Sequence, residues 1–112
     1  MKNLLIIIVL LAFSVGAFAH AASEVRASYK ASSQTLELSF DHGVKDPQNH
    51  YIQSIEIRLN GTMIISQVAS AQDTASGGEY MYKIPNLKKN DKIEITLICN
   101  KAGKKTASMV LK

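Results

Sequence analysis

From residue 24 onward the chain alternates apolar and polar positions in short runs, with turn signals about every 8–12 residues. Leu36, Leu38 and Phe40 alternate with Glu37 and Ser39, a strict period of two that predicts a half-buried strand from Thr35 to Phe40. The same period predicts a strand from Glu24 to Lys30, with Val25, Ala27 and Tyr29 on one face, and another from Tyr51 to Leu59. In the latter, Ile55, Ile57 and Leu59 share a face, and Gln53 continues that parity toward the preceding loop. Asn60-Gly61 supplies a tight hairpin turn of the type that needs positive φ, and Thr62 to Ala69 returns as the next strand. Tyr80, Tyr82 and Ile84 alternate in a fifth strand, which Pro85 stops. Ile93, Ile95, Leu97 and Cys99 line one face of a sixth, from Lys92 to Cys99. Ala107, Met109 and Leu111 line one face of a seventh, from Thr106 to Leu111. Asp41 to Asn49, with Gly43 and Pro47, and Ser70 to Glu79, with Gly77-Gly78, read as longer loops. Seven short strands without helical periodicity predict an all-β fold, an immunoglobulin-like antiparallel β-sandwich.

The first residues break this pattern. Lys2 is followed by Leu4 to Phe13 with no polar residue, and Ala17-Phe18-Ala19 closes the segment. A basic start, an apolar stretch and a small-x-small site together predict a cleaved secretory signal over residues 1–19. The apolar stretch is short of the roughly 20 residues that span a bilayer. The expectation is therefore a periplasmic or secreted protein with no membrane anchor after cleavage. Removing 19 of 112 residues leaves a domain of 93, over residues 20–112. Cleavage after Ala19 makes His20 the first residue, whose α-amine and imidazole together can chelate a metal. Cleavage after Ala21 fits the same rule and removes it.

Charge narrows the partners. The leader carries one of the 13 Lys+Arg and none of the 9 Asp+Glu, so the remaining chain has a net charge of +3. The basic residues are scattered, with small clusters at Lys88-Lys89 and at Lys101, Lys104 and Lys105. A nucleic-acid face needs a concentrated basic stripe and aromatic platforms, and this chain has neither pattern. The clusters read as solvated turns that at most favour a small anion or an anionic partner.

No nucleophile elbow, Gly-rich phosphate loop or aspartate-rich calcium loop is present in the sequence. What remains is a sparse set of metal-type side chains, His42, His50, Cys99 and His20. His42 ends the second predicted strand, His50 opens the third, and Cys99 ends the sixth. In an immunoglobulin-like topology the loops after the second and sixth strands lie at one end, so these residues are expected to converge. Imidazole and thiolate suit iron, copper or zinc. Cys99 is the single cysteine, which excludes an internal disulfide. It also lies in register with core positions, so a buried thiol, a metal ligand and a reactive thiol all remain open for it.

His42-Gly43-Val44, then His50-Tyr51-Ile52 leading into Ile55-Glu56-Ile57, and finally Cys99-Asn100 resemble the iron-binding domain of desulfoferrodoxin and superoxide reductase. The resemblance spans about residues 35–103. It implies a mononuclear non-haem iron, with His42 and His50 as equatorial ligands, Cys99 as an axial thiolate, and an electron-donor protein as partner. The family's last histidine falls on Ala102, which cannot ligate, and Gly43 replaces its usual proline. His20 is the remaining imidazole, available if the mature terminus folds back. The Asp41-His42 strand end, the Asn60-Gly61 turn and Asn100-Lys101-Ala102-Gly103 also resemble the smaller subunit of the thiosulfate-oxidising sulfur-carrier complex, a non-catalytic partner. Copper capture by His20 with His42 or His50 is the third expectation.

Overall fold

The computed structural model describes residues 20–112, so the expected signal segment lies outside the described residues. Seven strands follow one another: β1 (Glu24–Lys30), β2 (Thr35–Asp41), β3 (Ile52–Leu59), β4 (Thr62–Val68), β5 (Gly77–Lys83), β6 (Lys92–Cys99) and β7 (Lys104–Val110). The described residues form no helix. The strands make two antiparallel sheets, one ordered β1-β2-β5 and the other β4-β3-β6-β7. The expected all-β, two-sheet architecture is borne out.

Alternation produces this arrangement because each sheet has one apolar face to hide from water. Leu36, Leu38 and Phe40 of β2 are buried against a cluster that includes Ile55 and Ile57 of β3 and Ile93, Ile95 and Leu97 of β6. The outward positions of β1, Arg26 and Ser28 among them, are exposed. Asn60 and Gly61 both have positive φ, 50° and 89°, as a two-residue hairpin between β3 and β4 requires.

Two local expectations change. Gln53 is exposed and Ile52 is fully buried, the reverse of the expected parity. The register shifts between Ile52 and Ser54, so a bulge turns Ile52 inward while Ile55 and Ile57 keep their places. The fifth strand also starts earlier than expected, because Gly77, Gly78 and Glu79 pair with Asp41, Phe40 and Ser39. The loop before it is correspondingly shorter. Gly78 lies so close to Phe40 that an added Cβ would meet the ring at 3.0 Å, so lacking a side chain here serves packing and not looseness.

β3 and β6 are the central strands of the larger sheet, and Ile57 is completely buried on β3. Ile57→Ala should cost about 2–5 kcal/mol in urea unfolding, whereas Met81→Ala, on an exposed edge position, should change it by less than about 0.5 kcal/mol.

Candidate metal centre

The inward row of β2 does not stop at Phe40. His42 occupies the next inward position, just beyond the strand, and is fully buried. The inward row of β6 ends in the same way, with Cys99 following Ile93, Ile95 and Leu97 at 5 % exposure. The two rows thus end in an imidazole and a thiol at one end of the core. His50, half-buried and just before β3, closes the group. One ligand atom from each of His42, His50 and Cys99 lies within 4.8 Å of the other two. His50 Nε2 is 3.1 Å from Cys99 Sγ.

Loop hydrogen bonds hold these residues in place. The Asp46 carbonyl accepts from the backbone N–H of Asn49 and of His50, and its carboxylate accepts from Gln48 N–H at 2.9 Å. This compact turn aims His50 back at the core end. Asn100 then staples the loop to the β6–β7 turn. Its Oδ1 accepts from Tyr51 N–H at 2.9 Å, its Nδ2 donates to the Asn49 carbonyl at 3.0 Å, and its backbone N–H donates to the Tyr51 carbonyl. The Cys99 sulfur also accepts the Lys101 backbone N–H at 3.4 Å.

His42 is held on both sides. Its Nδ1 lies 2.8 Å from Gln72 Oε1, and its Nε2 lies 2.9 Å from the His20 carbonyl oxygen. His20 therefore folds back over the group, with its ring centroid 4.9 Å from that of His42 and 5.5 Å from that of His50. Its own ring nitrogens face the Ala21 and Gly43 carbonyls, so His20 adjoins the His42–His50–Cys99 trio without belonging to it here. Ala102 is exposed in the turn after Cys99. Gly103 backs the His20–Ala21 segment; with φ at +94°, an added Cβ would sit 2.6 Å from Ala21 N. An open cleft of about 770 Å³ reaches this end of the molecule, bordered by His20, Val44, Lys45, His50, Ser76 and Lys101.

The donor set fits a metal of the borderline kind. Metal–nitrogen and metal–sulfur bonds near 2.1 and 2.3 Å put neighbouring ligand atoms about 3–4.5 Å apart, so small side-chain rotations bring all three to one ion. Two imidazoles and a thiolate suit iron, copper or zinc and not calcium or magnesium. A metal at His42 Nε2 requires the His20 carbonyl to move aside, which ties loading to the first described residues.

Burial moves the His50 imidazole below its ordinary value of 6.5, and the nearby His42, His20 and Lys101 push it the same way. The folded protein thus favours neutral His50, the form that ligates.

His42, His50 and Cys99 converge as the sequence leads one to expect, and Asn100, quoted there beside Cys99, proves to be the staple between the two loops. Gln72 is the residue without a signal: nothing about a glutamine among Ser and Ala residues marks it before the fold is known. No protein-family model matches the chain, and no curated protein matches it.

Two outcomes follow from this geometry. In metal-free protein the stability contributed by neutral His50 is complete above about pH 6.5, and it is lost as pH falls below that value toward the lower folded one. The urea midpoint of wild type should therefore fall relative to that of His50→Gln as pH drops below about 6.5, with the difference between them constant above that value. Gly103→Ala should cost about 1–2 kcal/mol through its left-handed backbone and should also release the His20–Ala21 segment. Hydrogen exchange should show that segment deprotected while the strands remain protected.

Proposed function

We propose that this chain is an exported, immunoglobulin-like metal-binding domain of the superoxide-reductase type. In this reading His42, His50 and Cys99 hold a single iron. The observation that carries it is the meeting of a buried imidazole, a second imidazole and a buried sulfur within 4.8 Å of one another. The strand order, β1-β2-β5 against β4-β3-β6-β7, supports the immunoglobulin-like reading. The order of the short motifs around His42, His50 and Cys99-Asn100 supports the choice of iron over copper or zinc.

A ferrous iron held here would supply one electron to superoxide, which leaves with two protons as hydrogen peroxide, and an electron-donor protein would restore the ferrous state. The chain's own residues would hold and tune the ion. Cys99, with a backbone N–H on its sulfur, provides the single anionic ligand. His42 and His50 would provide the two ring nitrogens, and burial favours the neutral, ligating form at His50. Lys45, Lys101 and Asp46 border the cleft beside His50, and the two cations against one carboxylate would favour entry of a small anion.

One observation favours a second reading, the non-catalytic partner module. Val68 is 73 % and Met81 69 % exposed on the free edge strands β4 and β5, which the Tyr82–Gln67 hydrogen bond draws together. Exposed apolar side chains on unpaired edges suit docking by another protein. In that reading Cys99 is a buried thiol, silent toward thiol reagents until the protein unfolds.

The two separate on anaerobic loading with ferrous iron followed by oxidation. The metal reading expects one iron per chain and a visible thiolate-to-iron absorption band. Cys99→Ser should abolish the band, and His50→Ala should remove most of the bound iron. Wild-type protein that stays iron-free, or a Cys99→Ser variant with an unchanged spectrum, would overturn the reading.

A further inference from the structure

The buried end of the core contains a polar side chain that the sequence does not single out. Gln72 is 5 % exposed and lies in the connection between β4 and β5. Its amide is used completely. Nε2 donates to the His42 carbonyl at 2.8 Å and to the Thr74 carbonyl at 3.0 Å. Oε1 lies 3.2 Å from Ile52 N–H and 2.8 Å from His42 Nδ1. Two carbonyls can only be met by the NH₂ end of the amide, so the orientation of Gln72 is determined by its partners. The oxygen must then face His42, and an oxygen can only accept. His42 Nδ1 therefore carries a hydrogen, which leaves Nε2 as the ring atom that can ligate; Nε2 now faces the His20 carbonyl oxygen at 2.9 Å and takes a metal only when that carbonyl moves aside and any hydrogen it accepts is lost.

We infer that Gln72 is a positioning residue for the metal centre: it holds the Nδ1–H of His42 and thereby selects Nε2 as the ligating atom. The inference rests on the metal reading above and adds what makes His42 a ligand of defined orientation. A metal-bound histidine is ordinarily oriented by an acceptor on its other nitrogen, and loss of that acceptor typically weakens binding ten- to a hundredfold. Here the acceptor is a neutral amide and not a carboxylate. The imidazole is oriented without being made strongly electron-rich, so Cys99 is left as the one anionic donor of the trio. Gln72 also reaches the carbonyl of the residue it orients. The ring and the backbone of His42 are thus held by one side chain, from a loop distant in sequence.

The test uses zinc as a diamagnetic probe. Zinc affinity is measured by chelator competition for wild type, Gln72→Met and Gln72→Glu, beside each variant's urea midpoint. Long-range proton–nitrogen correlation spectra of the zinc-loaded proteins identify the protonated nitrogen of His42. The wild type should show a protected proton on Nδ1 and zinc on Nε2. Gln72→Met, which keeps the volume and loses the acceptor, should bind zinc ten- to a hundredfold more weakly. Gln72→Glu restores an acceptor and should stay within about threefold of wild type, although it loses both donated hydrogen bonds and is less stable. Zinc on Nδ1 would overturn the inference, and so would affinity losses in both variants that merely track their stability. A wild type that binds neither zinc nor iron sinks the metal reading itself, and that outcome is distinct from wild-type binding with Gln72→Met unchanged.

Discussion

The apolar faces of the two sheets must be removed from water together, and the rest of this molecule is arranged around that requirement. Each central strand presents a period-two row to the interior, and opposed rows can be buried only if the sheets stack with those rows facing. Leu36, Leu38 and Phe40 thereby meet Ile55, Ile57, Ile93, Ile95 and Leu97. The constraint extends one position past the apolar residues. His42 and Cys99 continue the rows of β2 and β6, so the packing that buries the aliphatic side chains also delivers a nitrogen and a sulfur to the same end. Rigid strands make a better foundation for a ligand set than loops, because their positions are shared by the whole core.

Past the end of the apolar rows the problem changes from burying carbon to satisfying polar groups. A buried imidazole, a buried amide and the turning backbone around them all need partners. Among the described residues every buried side-chain nitrogen and oxygen has one. Gln72 supplies four of these contacts, and Asn100 joins the His50 loop to the turn after Cys99. Such networks are costly when partly met and rigid when fully met. The candidate centre therefore inherits its precision from the amide side chains of Gln72 and Asn100.

The electrostatics of this end are set by burial and by neighbouring cations. His50 is shifted toward its neutral form by desolvation first, and then by His42, His20 and Lys101. A His50 imidazole held toward its neutral form, the His42 imidazole and a sulfur that accepts a backbone N–H form a donor set for a borderline metal. The His20–Ala21 segment lies over this set, with its carbonyl on His42 Nε2 and its backbone against Gly103. Access to the ligand atoms and the position of the first described residues are thus coupled.

Much of this was legible without coordinates, because a period of two is a local property. The alternation of Leu36 with Glu37, or Ile95 with Thr96, assigns each side chain to a face wherever the strand is regular. Asn60-Gly61 announces its turn through the positive φ that both residues adopt. The parity assigned to Gln53 failed because a bulge depends on how β3 pairs with β6, and pairing is not local. Gly77-Gly78 reads as loose loop, yet these glycines are paired strand beside Phe40, whose backbone carbonyl fills the space a side chain would need at Gly77 and whose ring fills it at Gly78. By itself the sequence determined the strands, their buried faces and the presence of three imidazoles and one sulfur near strand ends. The strand topology already led one to expect His42, His50 and Cys99 at one end; tertiary structure alone decided their distances, that His20 turns back toward them, and that Gln72 holds the ring of His42. Those contacts join residues 20 to 50 positions apart, and only the stacking of two sheets brings such distant positions within hydrogen-bond reach.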